Sequence, residues 1–191
     1  MKKLNTAASV ISKALEILHW TGAAVFLVLL ALSLAAKDWL GGFLNQSVPD
    51  FAPNMSVYGF ELSALQADGA LNLAAVALFS IGAAIVLSLM AMVFRNVYLI
   101  FKTSQGKTWF AQGGTPFQKD IVRMVREIGI FYLSIPALEL ALSTVCRLVL
   151  GPDFAEISVN TAGFVTGILL LCLSQVFSYG MRLEKDVDGL V

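Results

Sequence analysis

The chain has 191 residues, of which 58% are hydrophobic and 14% are charged, and its mean hydropathy is +0.79. Soluble domains carry about 25% charged residues, so a soluble core of this size could not bury so much apolar surface. Thirteen lysines and arginines balance thirteen aspartates and glutamates, and a net charge of zero argues against direct nucleic-acid binding, which requires a basic face.

Four apolar segments are long enough to cross a bilayer, which takes about 20 helical residues. They cover residues 17–36, 70–94, 128–150 and 161–181, and 24 of the 26 charged side chains lie outside them. Because backbone polar groups in lipid must be satisfied within the segment, each span is expected to be a helix. We predict a single all-α membrane domain over residues 1–191, folded as an antiparallel four-helix transmembrane bundle.

The basic residues predict the orientation of these spans. Eleven of the thirteen lysines and arginines lie before the first span, in the inner loop (residues 95–127) or after the fourth span. The outer loops, residues 37–69 and 151–160, are acidic. Since lysine and arginine stay on the cytoplasmic side, both termini are expected to be cytoplasmic.

Two segments outside the spans have their own patterns. Residues 4–16 predict an amphipathic helix, with Lys13 and Ser12 on the side away from its apolar residues. Those apolar residues are Leu4, Ala8, Ile11 and Leu15. This helix is expected to lie at the membrane interface or, alternatively, to dock a partner. The first outer loop is expected to pack on the outer surface, with a short strand around residues 56–62.

The inner loop ends in a helix start, Thr115-Pro116-Phe117-Gln118. The threonine oxygen at the cap and the glutamine side chain at the third helical position accept hydrogen bonds from backbone amides that would otherwise be unpaired. Proline at the first helical position has no amide hydrogen to leave unpaired. The predicted helix is basic and amphipathic and leads into span three. Its apolar side carries Phe117, Ile121, Met124 and Ile128, and its basic side carries Lys119, Arg123 and Arg126. The cations are expected to meet anionic headgroups or, alternatively, a cytoplasmic protein.

Two cytoplasmic segments resemble a known family. The first, residues 114–129, has a Gly–x–Pro–Phe motif, a basic helix and Ile128-Gly129; the second, residues 180–188, combines a glycine with leucine and acidic residues. In this order they are similar to a bacterial family of small four-helix membrane proteins, domain of unknown function 2975. The last three residues depart from it, because Gly189-Leu190-Val191 stands where the family tends to have Leu-Thr-Val.

The resemblance covers most of the chain, but its specific motifs span only about 25 residues. It implies an integral protein of the bacterial inner (plasma) membrane. Genes of the family often neighbour a small helix-turn-helix regulator of the Cro/CI type. The resemblance therefore also implies a cytoplasmic transcriptional regulator as a candidate partner.

Glu139 and Arg147 are the charged residues inside the predicted spans. An intramembrane carboxylate costs about 3 kcal/mol and is a candidate for function, and Pro136, one turn earlier, predicts a helix kink. Glu139 is expected either to bond Ser143 or another span, or to belong to an ion path. Arg147 lies about 12 Å further along the helix and is expected to reach the outer interface, towards Asp153.

His19 is the single histidine, and Cys146 and Cys172 are the two cysteines. His19 is expected to pair with Glu16. The cysteines lie at depths that differ by about 10 Å, too far for a disulfide, and are expected to be small core residues. No metal site, cofactor or catalytic residue is predicted.

Stripes of small residues on spans two and four predict close helix packing. The stripes are Ala77, Ser80, Ala84, Ser88 and Ala91, and Gly163, Gly167, Ser174 and Ser178. They are expected to pack within the bundle or, alternatively, in a homo-oligomer.

These features predict a non-enzymatic membrane protein that docks or regulates a cytoplasmic partner. The predicted contact residues are Thr115, Pro116, Phe117, Lys119, Arg123, Arg126, Gly180, Leu183, Glu184, Asp186 and Asp188. The alternative is a small oligomeric transporter or channel that uses Glu139, with Pro136 and Arg147 beside it.

Overall fold

The computed structural model describes residues 2–47, 54–66, 71–111, 117–157 and 160–188. Within them the chain is mostly helical, as predicted. Its elements are α1 (Lys2–Ala35), α2 (Lys37–Ser47), β1 (Asn54–Val57), β2 (Phe60–Ser63), α3 (Leu73–Thr103), α4 (Lys119–Leu150) and α5 (Thr161–Asp188). Four of these helices, α1, α3, α4 and α5, are long and apolar enough to cross a membrane.

The chain divides into two compact units. The first comprises residues 1–19, 89–134 and 161–191, and we call it the terminal unit because it contains both chain ends. The second comprises residues 20–88 and 135–160, and we call it the hairpin unit because it contains the two strands.

The first outer loop contributes to the core of the hairpin unit. Instead of one strand it forms two, which pair antiparallel with Val57 opposite Phe60. Phe60 and Leu62 are each 1% exposed, whereas Glu61 between them is exposed. This alternation matches the two-residue period of a strand, so one face of the hairpin is buried.

The buried face of the hairpin packs against α3 and α4. Phe60 stacks on Phe79 with the ring centroids 5.6 Å apart, and both belong to a core cluster with Cys146. The backbone amide of Ser63 donates to the carbonyl of Phe154 at 2.7 Å. The hairpin is therefore held by apolar packing and by a backbone bond to the second outer loop.

Helix α2 was not predicted, because Gly41 and Gly42 lie in its middle and glycine disfavours helices. Within residues 37–44 of this helix, Leu40 is buried, with 2% of its surface exposed. A Cβ at Gly41 would lie 3.9 Å from the Leu73 side chain at the start of α3. Packing within the hairpin unit thus outweighs the low helix propensity.

Helix α3 runs to Thr103, and the sequence predicts such a continuation of span two through Phe101, past its apolar segment. The amide of Lys107 donates to the carbonyl of Lys102, and that of Gly106 to Thr103, both at 2.9 Å. These two bonds form a Schellman motif, and Gly106 supplies its left-handed residue with φ +66°.

The basic helix begins at Lys119 and not at Pro116 as predicted, and it continues unbroken to Leu150. Phe117 and Gln118 lie before it, and the carbonyl of Gln118 accepts its first bond, from the Val122 amide at 3.0 Å. The prediction used local capping preferences alone. The structure instead holds Phe117 outside the helix, where its ring packs on α5.

In the terminal unit, α4 and α5 approach closely at Gly129 and Gly167. A Cβ at either glycine would lie within 3.1 Å of the other's carbonyl oxygen. Gly167 and Ser174 are buried, and Ser174 is 0% exposed. Two of the four small residues in the stripe on α5 are thus buried inside the chain, which fits close packing of helices within the chain.

The start of α1 is helical, as predicted, and it buries its serine side within the chain. Ser12 is 6% exposed, whereas Ile11 is 59% exposed. Ser12 can be buried because its hydroxyl donates to the carbonyl of Ala8 at 2.8 Å, which satisfies a polar group that would otherwise be costly to bury. On the apolar side Ile11 is exposed, whereas Ala8 and Leu15 are half-buried.

At His19 and Glu16 the structure shows other contacts than the predicted pair between them. The ring nitrogen Nδ1 of His19 lies 2.7 Å from the carbonyl oxygen of Leu15 and therefore carries the proton, and the ring packs on Phe94 at 4.9 Å. Lys13 donates to Glu16 at 2.9 Å instead. A neighbouring lysine thus competes successfully for the carboxylate.

Candidate functional site

The beginning of α4 and the end of α5 meet in the terminal unit. A Cβ at Gly180 would lie only 2.6 Å from the Phe117 ring, so the ring occupies the space that a side chain would need. The Phe117 ring also meets Phe177 edge to face, with the centroids 6.0 Å apart. The two segments that carry the family resemblance are therefore in direct contact.

The basic side of α4 is exposed. Lys119 and Arg126 are exposed, and among the described residues neither forms an ion pair. Arg123 lies 3.5 Å from the carboxylate of Asp120 and 3.6 Å from that of Glu127. Two of the three predicted cations are therefore available to an external anionic group.

Glu127 also connects α4 to α3. The side-chain amide of Asn96 donates to the Glu127 carboxylate at 3.0 Å, and Asn96 is 5% exposed. This bond ties the first part of α4 to α3.

The C-terminal contact residues lie on the last turns of α5. Leu183 is 48% exposed, Asp186 is exposed and Glu184 is half-buried. Asp188 ends the helix, but its side chain lies outside the described residues, as do Thr115 and Pro116. The predicted tail is therefore helical and continuous with the fourth span.

Sequence reasoning missed Trp109, which is 95% exposed. The loop that carries it is held on both sides: the Thr108 hydroxyl donates to the Thr103 hydroxyl at 3.1 Å, and Phe110 packs against Ile121 and its neighbours on α4. The sequence feature that could have revealed Trp109 is the aromatic pair itself. Phe110 packs inwards, whereas the adjacent indole faces outwards. Large exposed aromatic side chains are typical anchors at interfaces.

A second group of candidate residues lies in the hairpin unit, around Glu139. Glu139 is 2% exposed. The position that a Cβ would take at Gly59 lies 3.0 Å from its carboxyl oxygen and 3.2 Å from the Asn160 amide nitrogen. Sequence reasoning expected Ser143 or another span as the neighbour of this carboxyl, and it missed both the hairpin turn and Asn160.

The Tyr58-Gly59 turn has an unusual backbone. Both residues have positive φ, 51° for Tyr58 and 98° for Gly59. A two-residue hairpin loop with positive φ at both positions is a type I′ turn, which favours asparagine, aspartate or glycine over tyrosine at its first position. A strained turn therefore meets a buried carboxyl.

Pro136 and Arg147 lie on the same helix as Glu139. Pro136 is fully buried, and α4 continues through it. Arg147 donates to the carbonyl of Ala155 at 3.1 Å, and among the described residues it forms no ion pair with Glu139 or Asp153. The guanidinium thus fastens the second outer loop to α4.

Within the described ranges, no group of three or more His, Cys, Asp or Glu side chains could hold a metal ion. Comparisons with known proteins add no further site residues. No protein-family model matches the chain, and no curated protein or solved structure matches it either.

Proposed function

We propose that this chain is a multi-pass protein of the bacterial inner membrane that docks a cytoplasmic protein. Its four long helices would form an antiparallel bundle in the bilayer, with both termini in the cytoplasm. The docking surface comprises Trp109, the exposed residues at the start of α4 and the last turns of α5.

The observation that carries this proposal is the contact between Phe117 and Gly180. It makes one surface of two segments that are 63 positions apart in the sequence. A surface assembled in this way presents a fixed arrangement of side chains, and fixed arrangements bind with a smaller loss of conformational entropy.

The chemistry of the surface indicates the partner. Lys119 and Arg126 are exposed cations without ion pairs among the described residues, and Trp109 is an exposed indole. Such a surface fits a protein with an apolar pocket rimmed by acidic residues. The family resemblance supports a small helix-turn-helix regulator as that protein.

The orientation rests on the eleven basic residues in the inner loop and near the two termini. It places the docking surface in the cytoplasm. The apolar outer faces of α1 and α5 would contact lipid, since Val28 on α1 and Leu169 on α5 are 59% and 63% exposed.

The proposal is tested by crosslinking and pull-down from native membranes, followed by identification of the captured proteins. The full chain is compared with a chain truncated after Met181 and with the double variant Lys119→Glu, Arg126→Glu. We expect the full chain to capture a small helix-turn-helix protein and both changes to reduce its capture on the order of tenfold.

The matched control is Arg95→Glu, which reverses an exposed charge on α3 outside the proposed surface. Equal capture by the full chain, the truncated chain and the double variant would contradict the docking surface. Recovery of the protein alone would instead favour a homo-oligomer.

The alternative function is transport through Glu139. Replacing Glu139 by glutamine would then abolish ion flux in reconstituted vesicles without unfolding the protein. The contact between the Glu139 carboxyl and the Gly59 turn favours an anchoring role, because the carboxyl is covered by the chain's own hairpin.

A further inference from the structure

The buried carboxyl of Glu139 lies beside a strained turn and is not part of the proposed docking surface. We propose that Glu139 is a latch for the β-hairpin. Its carboxyl group holds the Tyr58-Gly59 turn, and the docked hairpin closes an apolar cleft that contains Phe79 and Cys146.

The hairpin depends on its surroundings. An isolated two-stranded hairpin is marginally stable in water, and strand β1 and strand β2 have only four residues each. The left-handed backbone of Tyr58 is unfavourable for a residue with a Cβ. Such strain persists only where neighbouring groups hold the backbone in place.

The side-chain groups nearest to Gly59 in the turn are polar. The carboxyl oxygen of Glu139 and the amide nitrogen of Asn160 lie 3.0 and 3.2 Å from the Cβ position of Gly59. Burying a carboxyl group is costly unless polar groups surround it. The turn backbone and the Asn160 amide lie beside the carboxyl, and the proposal is that the carboxyl and the turn stabilise each other.

The rest of the docked face is apolar. Phe60 and Leu62 are 1% exposed and belong to one cluster with Phe79 and Cys146. Apolar packing is nondirectional, whereas the contact at Gly59 specifies where the turn lies. Loss of the latch would therefore let the hairpin leave while the helices remain folded, and the cleft would open to solvent.

Cys146 is a natural reporter of this opening. It is 1% exposed and packs in the same cluster as the hairpin. Cys172 is exposed, so a Cys172→Ala background leaves Cys146 as the single thiol. The rate of its reaction with a water-soluble maleimide then measures how often the cleft opens.

The experiment uses the full chain in membranes and introduces Glu139→Ala or Gly59→Ala. The first change removes the latch, and the second places a methyl group against the carboxyl in a backbone that disfavours it. We expect either change to raise the labelling rate of Cys146 on the order of tenfold, which corresponds to about 1.4 kcal/mol.

Two controls lie in the same unit. Gly42→Ala adds a methyl group where nothing lies within 4 Å, and Glu156→Ala removes an exposed carboxylate. Both are expected to leave the labelling rate unchanged. The double variant Glu139→Ala, Gly59→Ala separates the carboxyl contact from backbone strain, because the effects will be less than additive if the two residues interact.

A second reporter distinguishes local opening from general unfolding. Ser174 in the terminal unit is 0% exposed, and Ser174→Cys is introduced into a chain without the two native cysteines. The proposal expects slow labelling at this position in all variants. It is overturned if Cys146 labelling stays unchanged in both variants, if their effects are strictly additive, or if both reporters label together.

Discussion

Phe117 can lie against α5 only because residue 180 is a glycine. The nearest ring carbons lie 2.6 and 2.8 Å from the position of a Cβ there, which is shorter than any ordinary contact between carbon atoms. The ring also touches Phe177, so it fills a site of fixed shape. A single added methyl group must therefore displace the ring or separate the two helices.

We predict that Gly180→Ala lowers the free energy of unfolding by about 1–3 kcal/mol, as expected for an added methyl group in a tightly packed site. Thermal unfolding of the purified protein in detergent measures this. Gly42→Ala is the matched control, because its Cβ would meet nothing within 4 Å. Phe117→Leu should relieve part of the loss, and an unchanged melting temperature in Gly180→Ala would contradict the close contact.

At the scale of elements, the loop after α3 places two adjacent aromatic residues in opposite environments. Phe110 packs against Ile121, Met124 and Val125, whereas Trp109 is 95% exposed. The Thr103–Thr108 bond and the Schellman motif hold this arrangement. The loop thus has a structural aromatic residue and an outward-facing one.

We predict that the two alanine substitutions affect different properties, one the stability of the protein and the other its capture of a partner. Phe110→Ala should lower the free energy of unfolding by about 1–3 kcal/mol because it removes core contacts. Trp109→Ala should change it by less than about 0.5 kcal/mol but reduce partner capture on the order of tenfold. Unfolding and crosslinked pull-down are measured on the same preparations, and a destabilised Trp109→Ala with normal capture would refute the anchoring role.

The long helices could be predicted because their signal is local. Apolar runs indicate α3 and α5, and the continuation of span two past residue 94 follows from the lack of helix breakers until Gly106. The hairpin could be predicted only in part. Its strands have four residues each, and its burial depends on Phe79 and Cys146, which are remote in the sequence.

The same reason limits what could be predicted at the start of α1 and around Glu139. Periodicity identified the two faces of α1, but the burial of Ser12 depends on the bond that its hydroxyl makes within its own helix. A carboxyl in a span indicates a candidate residue but not its neighbours. Those neighbours, Gly59 and Asn160, lie in the outer loops, where no sequence period connects them to the helix.

At the scale of the whole molecule, the charge distribution supports the proposed orientation in the membrane. Only Lys37 and Arg147 lie on the predicted outer side, and the other eleven basic residues lie on the inner side. Each basic residue near the cytoplasmic surface gains about 1 kcal/mol from anionic lipids. The difference of nine basic residues supports the proposal that both termini are cytoplasmic.

We therefore predict that a membrane-impermeant thiol reagent distinguishes the two sides. In a chain without native cysteines, Glu156→Cys on the second outer loop should label in intact spheroplasts, whereas Lys107→Cys on the inner loop should label only after permeabilisation. Both positions are exposed, so burial does not limit either reaction. The reverse pattern would place the docking surface, with Lys119 and Arg126, on the side without cytoplasmic proteins, and docking of a transcriptional regulator would then be impossible.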